Sequence, residues 1–229
     1  MAPQFEHFAR LGHCVVAMDL RGHGQSDKPR QSYAMAAFAD DVFWLCTQLE
    51  LTKPVLVGHS MGGIVAYDLA ARYPDFAAAI VVLDSAIVIP AASRADIAPF
   101  LDSLRGANYR ATLRDYVDKA LFIGSDDQHR KARILDAMAS APQHVMVSAF
   151  EGLRDYDPNV AKGAKLAPSL YIAANEPVPR SELTRLRELV PELRHGQTVE
   201  SGHFCHLEVP EQVDAMIDRF LAVALPSVT

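Results

Sequence analysis

Cysteine is scarce in this chain, and what there is forms no pattern. Cys14, Cys46 and Cys205 are far apart and make no C-x-x-C pair. An odd, scattered set argues against a disulfide framework and points to a reducing compartment. Long apolar runs are also lacking. The longest notable one, Phe76 to Leu83, has eight residues between Asp75 and Asp84, against the ~20 that a membrane-spanning helix needs. The N-terminus, MAPQFEHFARLGH, has no basic start followed by an apolar core, so no signal peptide is read and a cytoplasmic location is expected. Positive charge is not in excess either: 22 Lys+Arg stand against 28 Asp+Glu, a net charge of -6. Nothing here would neutralise a run of phosphates, so neither nucleic acid nor a membrane is expected as a partner.

What is present is globular composition: 50% hydrophobic and 22% charged residues in a chain of 229. That length suits one large domain, or one domain with an inserted lid, and needs no disulfide or metal staple. Short apolar runs ending in Gly, Asp or Ser recur as strand candidates: 13–19, 54–58, 78–84, 169–173 and, more weakly, 196–200. They are rich in β-branched residues and do not alternate with polar ones, as in strands buried on both faces. Helical periodicity lies between them, around 34–50, 61–72, 181–190 and 210–224. Strands alternating with helices predict an α/β fold, a mostly parallel sheet flanked by helices. Residues 87–165 break the pattern, with helical segments interrupted by Pro90, Pro99, Gly106, Gly124, Pro142 and Pro158. A stretch that long is too much for a loop, so it reads as a helical lid inserted into a core formed by 1–86 and 166–229.

The strongest local signal is Gly58-His59-Ser60-Met61-Gly62-Gly63, between the apolar run PVLV and the helical IVAYDLAARYP. This is G-x-S-x-G in the setting it requires: strand, sharp turn, helix. Small neighbours let the strand and helix approach closely while the Ser60 hydroxyl projects from the sheet edge as a nucleophile. The helix start turns backbone N–H groups toward the reacting oxygen, Met61 among them. A serine needs a base. His203, in Ser201-Gly202-His203-Phe204, lies after the last strand candidate, where a loop can return it to Ser60; His206 is its rival. The spacing of His203 and His206 around Cys205 suggests metal only superficially, since no matching pair exists elsewhere. His59 is expected to point away from Ser60, and His13 and His23 to serve loop structure. The acid that orients the base is either Glu176, in Ala173-Ala174-Asn175-Glu176-Pro177, or Asp84 at the end of the third strand candidate; Glu176 is slightly preferred.

Taken together, Asp19-Leu-Arg-Gly-His-Gly-Gln-Ser-Asp-Lys-Pro29, the GHSMGG elbow, and Gly202-His203 ahead of Leu207-Glu208-Val209-Pro210-Glu211 resemble the α/β-hydrolase superfamily over nearly the whole chain. The resemblance implies Ser60 as nucleophile, His203 as base, 87–165 as a cap over the pocket, and no organic cofactor and no metal. Two departures stand out. The acid loop reads AANEP, without the usual Asp, so either Glu176 substitutes or the acid sits at Asp84, as in haloalkane dehalogenases. The chain also begins just before what resembles the family's fourth strand, which points to an N-terminal truncation or a misassigned initiation codon. The segment left out would carry a His-Gly loop with the second oxyanion donor, and a strand lying between 13–19 and 54–58. Those two are therefore expected to pair directly, because a gap would bury unpaired backbone groups.

The leading functional reading is a serine hydrolase acting on a small ester, thioester or lactone, its partner a small-molecule acyl substrate. A serine at the elbow argues against the haloalkane dehalogenases and epoxide hydrolases that resemble this fold but use Asp there. A cofactor-free perhydrolase, a carbon–carbon bond hydrolase and a ligand-binding protein without turnover are the alternatives. A homodimer across an exposed sheet edge is left open.

Overall fold

The apolar run before Asp84 has no polar residue to turn toward water, and both its faces are covered. In the computed structural model, which describes residues 1–225, Ala79–Leu83 is a strand with every residue buried. It is β2 of a sheet ordered β1-β2-β3-β4, with β1 at Val55–His59, β3 at Ser169–Ala173 and β4 at Arg194–Gln197. Every neighbouring pair is parallel. Before β1 come α1 (Ala2–Arg10) and α2 (Met35–Gln48); α3 (Met61–Arg72) joins β1 to β2. Between β2 and β3 lie α4 (Ala91–Leu104), α5 (Tyr109–Leu121), α6 (Gln128–Ala139), α7 (Gln143–Arg154) and a 3-10 turn at Pro158–Ala161. The chain continues with α8 (Leu183–Leu189) before β4, then α9 (Cys205–Glu208) and α10 (Pro210–Ala224).

Alternation along the strands divides the core in two. Ile80, Val82 and Tyr171 pack with Ile64 and Leu69 of α3 and Phe38 of α2. Val81, Leu83, Leu170 and Ile172 pack on the other side with Val213, Ile217 and Phe220 of α10. Each such buried side chain contributes about 1.5–3 kcal/mol of transfer free energy, which fixes the register of the helices over the sheet. α1, for which no helix was expected, docks on this second side. Gln4 Nε2 donates to the His206 carbonyl and to Asp214 Oδ1, both at 3.1 Å, and His7 Nε2 lies 3.0 Å from the Asp218 carboxylate.

The expected strand at 13–19 does not form. The segment carries no strand hydrogen bonds, and His13, Cys14, Val16 and Ala17 are exposed. It faces β1 across an open cleft instead of pairing with it, and both line that cleft. The backbone groups avoid the cost of burial because they face solvent, the alternative that the expectation of direct pairing overlooked. The weak candidate at 196–200 is displaced: β4 ends at Gln197.

Residues 87–165 contain helices and no strand. Their aromatic rings pack first on one another: Phe100 stacks on Tyr116 at 3.9 Å, and Phe150 meets Phe100 edge-on at 4.9 Å. These contacts tie α4, α5 and α7 together. Asp127 caps α6, accepting from the Arg130 N–H at 2.7 Å; a carboxylate there also suits the helix dipole. Among the described residues no helix is long and apolar enough to cross a membrane. None of the three cysteines is paired.

Candidate active site

Four parallel strands end at one edge, so residues following different strands meet there. Ser60 follows β1 at φ 53, ψ -123, a backbone region a serine occupies only when the surroundings hold it. They do so with three hydrogen bonds. The Ser60 N–H donates to the Leu83 carbonyl at 3.0 Å, and its carbonyl accepts from Ser85 Oγ at 2.6 Å and from the Gly63 N–H at 2.9 Å. The glycines make the turn possible. A Cβ on Gly58 would collide with the Gly62 carbonyl, and one on Gly63 would come within 2.7 Å of the Ser85 Cβ. α3 starts at Met61, whose N–H, the first of the helix, has no intrahelical acceptor.

His203 arrives from the loop after β4 and is 2% exposed. Its Nε2 lies 3.0 Å from Ser60 Oγ, and its Nδ1 lies 2.7 Å from Asp84 Oδ2. Asp84, which follows β2 and is 3% exposed, uses its other oxygen to accept the Ala174 N–H at 2.9 Å. Burial pushes the Asp84 carboxyl up, opposed by that N–H and by Arg180. Burial pulls His203 well below its ordinary value, and the Arg180 charge acts in the same direction. The resting ring is therefore neutral, the state a general base needs.

Glu176, the slightly preferred acid in the sequence, does not meet His203 in this way. It pairs with Arg180, whose Nη2 lies 2.7 Å from the Glu176 carboxylate. Asn175 is exposed. The reason is topological: β2 lies beside β1 and β3 one place further out, so the end of β2 is nearer Ser60. Arg180 was not foreseen. Residues 176–180 are not helical, so the i, i+4 rule for helix faces gave no signal for its pairing with Glu176.

The other histidines divide as their surroundings dictate. His59 Nε2 lies 2.7 Å from the His203 carbonyl, so the elbow also holds the histidine loop. Burial and His203 push His59 down to about 3. His206 packs on His59 with the rings tilted, centroids 4.2 Å apart, while the Ser60 hydroxyl faces His203. His23 Nδ1 lies 2.9 Å from the Arg21 carbonyl in its own loop, while His13 lies on the cleft wall. Among the described residues no group of three or more His, Cys, Asp or Glu side chains is placed to hold a metal ion. Ser60 and His203 open on a cleft of about 1540 Å³, lined mainly by apolar side chains such as Met61, Ile89, Tyr116, Phe122, Phe150 and Phe204.

Comparison with known proteins bears on the fold. A family model described as alpha/beta hydrolase fold matches residues 2–210. An uncharacterized protein of Mycobacterium bovis is 41% identical over 71 residues, 31% of this chain and 21% of its own length. The chain thus matches about a fifth of that relative's length. The AB hydrolase superfamily protein YisY of Bacillus subtilis is 26% identical over 228 residues, covering 95% of this chain and 84% of its own. The crystal structure of the enol-lactonase from Burkholderia xenovorans LB400 superposes with a TM-score of 0.82 at 25% identity, over 96% of this chain and 85% of that one. The family model covers most of the chain, and the chain belongs to the alpha/beta hydrolase fold family.

Proposed function

We propose that the chain is a serine hydrolase that cleaves a small carboxylic ester, thioester or lactone through an acyl-enzyme. The observation that carries this reading is the relay of Ser60 Oγ, His203 and Asp84, at 3.0 and 2.7 Å. Ser60 Oγ attacks the carbonyl carbon as His203 Nε2 takes its proton. Asp84 holds the Nδ1–H tautomer and stabilises the imidazolium. The developing oxyanion receives the Met61 N–H at the positive end of α3. Collapse breaks the bond to the leaving group, and His203 returns the proton to the departing oxygen or sulfur. Water then attacks the acyl-enzyme as His203 takes a proton again, releasing the acid and restoring Ser60.

The apolar cleft supports an acyl or aryl group of moderate size. The enol-lactonase supports a lactone among the substrates, a case in which the leaving oxygen stays tethered to the acyl group until water releases one ring-opened product. We read residues 87–165 as the cap, since α5 and α7 place Tyr116 and Phe150 on the cleft wall. The test is hydrolysis of p-nitrophenyl acetate and butyrate by the purified chain beside Ser60→Ala. Turnover that falls by about 10⁴-fold or more in the variant is expected. Equal turnover in both proteins would overturn the reading.

A further inference from the structure

Behind the relay lies a cation that the reaction does not consume. Arg180 Nε is 3.6 Å from Asp84 Oδ2, the same oxygen that faces His203. That Nε is buried and has no hydrogen-bond partner. The guanidinium is held from the other end, where Nη2 donates to Glu176 at 2.7 Å and to the Ala120 carbonyl of α5 at 2.7 Å. An arginine spent only on fold would satisfy its donors; this one leaves its Nε aimed at the Asp84 carboxylate beyond hydrogen-bond distance. At that separation it still acts as a charge.

We propose that Arg180 is a positioning residue that sets the proton affinity of His203 through Asp84, with Glu176 as its counter-ion. The inference rests on the reading of Ser60, His203 and Asp84 as the relay. A positive charge beside Asp84 offsets part of the carboxylate's pull on the imidazolium and keeps the resting ring neutral. The carboxylate of Glu176 limits that effect and holds Arg180 in place. The pair also reaches the cap, through the Ala120 carbonyl, so the position of α5 bears on the same charge.

The remaining ionisable groups around the ring act differently. His59 packs against His203 with the rings tilted, centroids 4.5 Å apart, and His206 packs on His59 in the same way. Both are pulled down by burial and stay neutral. Cys205 is pushed up to about 12 and stays a thiol. Glu208 accepts the Gly202 N–H at 2.9 Å, with Asp126 beside it. Arg130 Nη1 donates to the Leu207 carbonyl at 3.1 Å, and its charge acts on His206 and Glu208.

The test is the titration of His203, read by nitrogen-15 NMR of the imidazole and by the acid limb of kcat/KM on p-nitrophenyl butyrate. Arg180→Gln is expected to raise the midpoint by about one pH unit, the low end for a unit charge a few ångströms from an ionising group. Arg180→Lys, which keeps the charge, is expected to retain most of the wild-type value. Glu176→Gln is expected to lower the midpoint. Opposite movement in the Gln variants separates an electrostatic role from a structural one. An unmoved midpoint in Arg180→Gln, or a ring that stays neutral there down to acid unfolding, overturns the proposal, as does movement of both Gln variants in one direction. If Arg180→Gln does not fold, Glu176→Gln decides: a lower midpoint upholds the proposal, and an unchanged or higher one overturns it. Because the NMR titration does not depend on turnover, its failure is distinct from a failure of the serine-hydrolase reading, which Ser60→Ala detects.

Discussion

Asp84 Oδ2 faces His203 Nδ1 at 2.7 Å from the end of β2, the strand next to the one that carries Ser60. Asp84 and Ser60 thus sit on adjacent strand ends, and Glu176 sits one strand further away. Replacing Asp84 with Asn would leave the ring in place but remove the charge that stabilises the imidazolium and its preference for one tautomer. Asp84→Asn is expected to lower kcat by about 10³–10⁴-fold. Glu176→Gln, measured on the plateau of the pH profile, is expected to stay within about tenfold of wild type. Steady-state kinetics of the two variants side by side checks this, and the reverse order would return the acid to Glu176.

The buried histidines make stability depend on pH in one direction. His206 is 4% exposed, and burial holds it well below its ordinary 6.5. As pH falls below 6.5, the unfolded chain takes up a proton that folded His206 refuses. Its contribution is therefore fully present above 6.5 and is lost toward the lower folded value. The loss is up to about 1.4 kcal/mol per pH unit for such a group. His203 behaves alike. The raised carboxyls of Asp84 and Glu176 act in the opposite sense, so the clearest window is from 6.5 down to about 5. Urea unfolding there is expected to show falling stability with acid, and a shallower slope in His206→Gln. An identical slope in the variant would contradict this account.

The elbow glycines are not equivalent. At Gly58 a Cβ meets the Gly62 backbone carbonyl, whereas at Gly62 it meets nothing within 4 Å. Gly58→Ala forces strand and helix apart and is expected to cost about 3 kcal/mol or more, with loss of turnover. Gly62→Ala is expected to leave stability within about 0.5 kcal/mol of wild type. Thermal unfolding of the pair measures the contrast directly.

Residues 13–19 lie open along the cleft, with no strand partner among the described residues. Their amides are expected to exchange with solvent quickly, while those of β2 persist toward the global unfolding limit. Hydrogen exchange with peptide-level resolution distinguishes this from a paired strand, which would protect 13–19 about as well as β1.

The sequence made some of this legible because local pattern and tertiary role agree. PVLV and AIVVL read as buried strands from composition, and they became β1, only alternately buried, and β2, buried throughout. His13 to Asp19 has the same composition, yet strand formation needs a partner, and partners are not written in the segment itself. α1 escaped notice because its docking depends on Gln4 and His7 reaching α9 and α10, more than 200 residues along the chain. That Ser60 and His203 come together was readable from their flanks. Which carboxylate faces His203 was not, because Asp84 and Glu176 both follow strands, and only the order β1-β2-β3 says which is nearer. Arg180 stands out only once its Nε is seen beside Asp84.

The most direct measurement is intact mass and peptide mapping after exposure to a fluorophosphonate, with Ser60→Ala and His203→Gln as controls. The account predicts one adduct per chain, on Ser60, absent from Ser60→Ala and formed far more slowly in His203→Gln. A well-folded chain left unmodified, or modified elsewhere than Ser60, would contradict it.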